Sequence, residues 1–119
     1  MEKTLTIDGQ QVSFKSTAAT PLRYKAQFGS DFLGDIIKMY PMMNKFEKKK
    51  KKDEEISYEE LQNINFDIFY NIVWSLAKTS DKSIPEPIEW LDRFEEFPLF
   101  DIFPELQEML VRNLQTKKK

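Results

Sequence analysis

Cysteine and histidine are both missing from these 119 residues. Their absence removes disulfides, thiolate and imidazole metal sites, Ser-His-Asp triads and Cys-His dyads from consideration. Glycine is scarce, and the three present, at positions 9, 29 and 34, build no G-x-x-x-x-G-K phosphate loop. No run of eighteen apolar residues occurs, and Met1-Glu2-Lys3 leads into an alternating segment rather than a signal peptide. The chain is therefore expected to cross no membrane and to stay in the cytoplasm where it is made. Asp92, Glu95, Glu96 and Asp101 lie close together, but acids at helical spacing describe a solvated face, and the D-x-D-x-D-G order of a calcium loop is absent. No catalytic residue, cofactor or metal ligand is nominated, and the chain is expected not to be an enzyme.

What is present is apolar bulk. The sequence is 40% hydrophobic, with ten Phe, four Tyr and two Trp, beside 32% charged residues. That supports one core and not two, so a single domain is expected over residues 1–116, followed by a basic tail at 117–119. Charge is unevenly distributed: residues 1–52 carry 11 Lys or Arg against 5 acids, whereas residues 53–116 carry 4 against 15. Such halves attract each other, either within one molecule or between neighbours.

Thr4-Leu5-Thr6-Ile7 and Gln11-Val12-Ser13-Phe14 both alternate around Asp8-Gly9, a pair suited to a type I′ turn. A β-hairpin is predicted, with Leu5, Ile7, Val12 and Phe14 on one face that helices must cover. Thr20 is expected to cap a short helix running from Pro21 to Phe28 and ending at Gly29. Ser30 is expected to cap a second, with Phe32, Ile36, Met39 and Tyr40 as its stripe and Leu33 and Ile37 widening it. Pro41 limits or kinks that helix. From Phe46 to Ile56 the lysine run Lys48–Lys52 and the acids after it read as a flexible loop.

Ser57-Tyr58-Glu59-Glu60 has capping-box spacing. Ile68, Phe69, Ile72, Val73, Leu76 and Ala77 then mark the central core helix, with Tyr70 and Trp74 on its flank. After an extended crossing from Lys78 to Pro87, a helix opens at Pro87. Phe97-Pro98 interrupts it, Leu99 to Phe103 forms a turn, and Pro104 starts a last helix carrying Leu106, Met109, Leu110 and Leu114. The expected fold is α+β and mainly α, an N-terminal β-hairpin packed on a bundle of about four to five helices.

Three strings resemble the tail assembly chaperones of siphophages and prophages of Gram-positive bacteria. They are Leu22-Arg23-Tyr24-Lys25-Ala26-Gln27-Phe28-Gly29-Ser30-Asp31-Phe32-Leu33, then Phe69-Tyr70-Asn71-Ile72-Val73-Trp74-Ser75-Leu76-Ala77-Lys78-Thr79, and Ile84-Pro85-Glu86-Pro87-Ile88-Glu89-Trp90-Leu91. Order and spacing match over nearly the whole chain, the lysine-rich middle being the variable part. These strings mark kinship and not a binding site. The resemblance implies a cytoplasmic helper, encoded between the tail tube and tape-measure genes. Such a helper coats the tape-measure protein, recruits tail tube subunits and is absent from the finished virion. It also implies a longer form made by ribosomal frameshifting, for which the ending Thr116-Lys117-Lys118-Lys119 suits an adenine-rich slippery run.

The expected partners are thus the phage tape-measure protein, the major tail tube protein and further copies of the chain. Sixteen aromatics and five Met exceed what a chain of this size hides, so some of Phe97, Phe100, Phe103, Met42, Met43 and Phe46 are expected to stand partly exposed. Trp90, Phe94, Phe97, Phe100 and Phe103 are the candidate partner-binding residues. The alternative reading is a nucleic-acid-binding or regulatory phage protein acting through Lys48–Lys52, with phosphate as the recognised group.

Overall fold

The computed structural model describes residues 1–55, 57–62 and 65–114, and its first element is the hairpin that the alternation predicts. Strands β1 (Glu2–Ile7) and β2 (Gln10–Lys15) pair antiparallel, with Leu5 opposite Val12 and Ile7 opposite Gln10. Asp8 and Gly9 take φ angles of 52° and 76°, the two left-handed conformations a type I′ turn demands. Because side chains alternate along a strand, Ile7, Val12 and Phe14 are buried together on one face, with Leu5 half-buried among them. On the other face the hydroxyls of Thr4 and Ser13 lie 3.1 Å apart.

Six helical segments follow among the described residues: α1 (Thr20–Phe28), α2 (Phe32–Lys51), α3 (Tyr58–Gln62), α4 (Phe66–Ser80), α5 (Pro87–Leu91) and α6 (Leu99–Leu114). Four have nine residues or more, and α3 and α5 are single turns. Helix α4 is the hub, packing on β2, α1, α5 and α6, while α2 lies against α1 and α6. It is capped at Asn65, whose side chain accepts the Asp67 N–H. It buries Phe69, Ile72, Val73, Leu76 and Ala77, as its periodicity predicts. Trp74, expected on the flank, is buried as well: its Nε1–H donates to the Pro85 carbonyl at 2.9 Å, and its ring meets Phe28 edge-on at 5.5 Å.

The caps of α1 and α2 differ from expectation. Ala19 precedes α1 without a side-chain cap. The Thr20 hydroxyl instead accepts the Thr17 N–H and lies 3.1 Å from the Thr79 hydroxyl. Since Thr79 gives its proton to the Ser75 carbonyl, Thr20 is the donor of that pair. Helix α2 is capped by Asp31, not Ser30: the Asp31 carboxylate accepts the Gly34 N–H at 2.8 Å, and its carbonyl accepts that of Asp35 at 2.9 Å. A Cβ on Gly34 would stand 3.0 Å from that carboxylate oxygen, so glycine leaves the cap room. Ser30 instead donates to Asp35 at 2.9 Å.

Two prolines fail to stop their helices. Helix α2 runs through Pro41 to Lys51, so the loop expected from Phe46 starts only after the fourth of the five lysines in the run. Pro41 is exposed, so the ring that cannot donate a backbone hydrogen bond lies on the solvent side of the helix. Helix α6 likewise runs unbroken through Pro104. Its start is set by Pro98, whose carbonyl accepts the N–H groups of Asp101 and Ile102. Expectations for Ile56, for the tail from residue 115 onward, and for the side chains of Met43, Phe46 and Leu114 lie outside the described residues.

Candidate interaction surface

Of the five candidate contact residues, the structure places three inside. Trp90 is 2%, Phe94 9% and Phe103 1% exposed. Phe97 and Phe100 are half-buried and packed against the core. Ring geometry shows why. Trp90, Phe94 and Phe97 form a closed triangle with centroids 5.4 to 5.7 Å apart, and Tyr70 of α4 stands 6.0 Å from Phe97. Phe103 is T-stacked on Phe69 at 4.2 Å, and Phe100 faces Phe66 at 6.2 Å. These rings hold the α5–α6 region to α4, each edge-to-face pair adding about 1 kcal/mol beyond its buried area. Of the residues among which some partial exposure is expected, Phe97, Phe100 and Met42 are half-buried and Phe103 is buried.

The apolar side chains actually left outside are different ones. Leu22 on α1 is 74% exposed, Ile88 on α5 76%, Tyr58 on α3 75% and Ile37 on α2 60%. Tyr40 stands out beside Ile37. Sequence reasoning counts Ile37 and Tyr40 into the core stripe of α2, but the structure buries Phe32, Ile36 and Met39 there, with Leu33 and Met42 partly buried beside them. The available signal was position: residue 37 lies about 100° around the helix from 36 and about 160° from 39, which turns it to solvent. Ile88 was flagged by neighbours, since Glu86, Glu89 and Asp92 surround it with charge.

A concavity of about 420 Å³ lies between β2 and the α4–α5 connection. Gln11, Ser13, Asp81, Ile84 and Arg93 are among its lining residues. Hydrogen bonds tie this region to the hairpin turn: the Asp8 carboxylate accepts the Glu95 N–H at 2.9 Å, and Gln10 Nε2 donates to the Arg93 carbonyl at 2.8 Å. Asp81 is occupied by its own turn. Its carboxylate accepts the hydroxyl and N–H of Ser83, and these bonds hold its pKa below the usual carboxylate range. Asp92, Glu95, Glu96 and Asp101 all project into solvent, and among the described residues no three acidic side chains converge to hold a metal ion.

No helix among the described residues is long and apolar enough to cross a membrane. No protein-family profile, curated protein or solved structure matches the chain.

Proposed function

We propose that the chain is a phage tail assembly chaperone, which binds the tape-measure protein and helps recruit tail tube subunits without catalysing a reaction. The supporting observation is where the leftover apolar surface falls. Leu22 and Ile88 lie in two of the three strings that resemble the chaperone family, yet both point outward and add nothing to the core. The third string forms α4 and is nearly all core. A long helical client aggregates unless its apolar stripe is covered, and scattered apolar side chains on short helices give weak, repeated contacts that tube subunits can displace.

The test is co-expression with the long helical tape-measure protein that this reading requires beside the gene. The wild-type chain should hold that protein in the supernatant and co-elute with it. A Leu22→Ser, Ile88→Ser double variant should lose co-elution while keeping its circular-dichroism spectrum. A tape-measure protein equally well behaved with or without the chain would refute the proposal.

Nucleic-acid binding through Lys48–Lys52 has less support. The helical lysines continue a stripe headed by Ile37 and Tyr40, a mixture that suits polypeptide better than phosphate. A gel shift that weakens steeply with salt would reverse this preference.

A further inference from the structure

Among the described residues β2 has a partner strand on one edge only. Along an antiparallel ladder, pairs that exchange backbone bonds alternate with pairs that do not. The open end of the hairpin fixes the phase, because Met1 and Ser16 exchange theirs, the Ser16 N–H reaching the Met1 carbonyl at 2.9 Å. The register then bonds Phe14, Val12 and Gln10 to β1 and turns the N–H and C=O groups of Gln11 and Ser13 away from it. No hydrogen bond among the described residues reaches these four groups.

The concavity of about 420 Å³ runs along that edge. Four successive residues, Gln10 to Ser13, line it, and their side chains point alternately to the two faces of the hairpin. A cavity that touches both faces of a strand lies at its edge, and β1 occupies the other one. The facing wall is the end of α4 and the segment from there to Phe94. Its floor is apolar, with Ile84, Trp90 and Phe94 buried, whereas Glu2, Asp81 and Arg93 are exposed at the rim. Between Gln10 and Ser13 there is no charge, proline or bulge, the devices that blunt an exposed edge.

We infer that β2 takes up a short extended segment of a different polypeptide as a third strand in this groove. Its backbone pairs with Gln11 and Ser13, and an inward side chain rests on Ile84, Trp90 and Phe94. Its outward residues are neutral or basic, because Glu2 and Asp81 outnumber Arg93 at the rim. Alternating N–H and C=O groups are matched in full by another extended backbone, which selects this occupant over a small ligand. A strand adds about 4.8 Å of width and about 3.3 Å of length per residue, so the groove takes about three residues of one strand. A second copy of this chain offers nothing so slender, since its β1 and β2 come as a hairpin packed on helices. The inference does not depend on the identity of the client.

Nuclear magnetic resonance of the isotope-labelled full chain tests it, with a capped peptide of alternating valine and threonine carrying a lysine at each end as the probe. The peptide should shift the amide signals of Gln11 and Ser13 and slow their hydrogen exchange about tenfold or more, with little change at the amides already bonded to β1. Only alternate N–H groups of an added strand face β2, so N-methylating the valines and N-methylating the threonines should differ, one abolishing the shifts and the other sparing them. Ser13→Pro removes an edge donor but no bond to β1, and should lose the shifts while keeping the circular-dichroism spectrum. If that variant does not fold, the two methylated peptides decide the matter. A peptide that leaves Gln11 and Ser13 unchanged, methylated peptides that bind alike, or a folded Ser13→Pro that binds as the wild type does would each overturn the inference.

Discussion

At the scale of single residues, the most consequential polar group is Tyr24. Its ring is fully buried between Phe28 and Phe32, with centroids 5.0 and 5.1 Å away, and its hydroxyl donates to Asp35 at 2.7 Å. Burial, reinforced by the Asp35 carboxylate, pushes the Tyr24 pKa well above the ordinary phenol value of 10.0. The folded state therefore holds this proton more tightly than the unfolded chain does. Its stabilising effect is complete below pH 10.0 and is lost as pH rises beyond it. Urea melts at rising pH should show stability falling above about pH 10, and Tyr24→Phe should flatten that limb. At neutral pH the same substitution should cost about 1–3 kcal/mol, because Asp35, only 5% exposed, keeps Ser30 but loses a donor. None of this was legible in the sequence. Tyr24 read as one residue of a short helix, and its partner lies across the α1–α2 turn. Asp8-Gly9 was legible because a type I′ turn is decided by two adjacent residues, whereas the second duty of Asp8, accepting the Glu95 N–H, spans 87 positions.

At the scale of elements, sequence periodicity located β1, β2, α1, α4 and the core stripe of α6 because each rests on local spacing. Prolines were the weak point. The sequence makes Pro41 a limit or a kink and Pro104 a helix start, yet a helix tolerates an interior proline where the freed carbonyl reaches solvent and the flanking turns are held by packing. Pro41 is exposed, so Pro41→Ala should restore one backbone bond and stabilise α2 by up to about 3 kcal/mol, seen as a higher urea midpoint with increased helical dichroism. A loss of stability would mean that the proline itself helps to seat Ile36 and Met39. The lysine run was read as loop on composition, but at the C-terminal end of a helix, cations are favoured by its dipole. Lys78 is a second case of tertiary use. Its ammonium donates to the Lys82 and Ile84 carbonyls and sits 6.0 Å from the Trp74 ring, pinning the α4–α5 connection to the helix that precedes it. Lys78→Met should keep the stem's apolar contact but lose the charged bonds, costing about 2 kcal/mol in urea denaturation.

At the scale of the whole molecule, the basic front and acidic back halves meet directly at Lys3 and Glu105, 2.9 Å apart, joining β1 to α6. Both side chains are 40% or more exposed, so this bridge contributes little to stability. Cohesion comes from the buried cluster reaching from Ile7 and Phe14 through α4 to Leu106 and Leu110, each fully buried large side chain contributing ~1.5–3 kcal/mol. A fold held this way responds weakly to salt, because the exposed pairs that salt screens carry little of its stability. Raising salt from about 0.05 M to about 0.5 M should therefore move the unfolding free energy of the dilute chain by less than about 0.5 kcal/mol. An unfolding midpoint that fell steeply with salt would show instead that the opposed charges of the two halves hold the fold together.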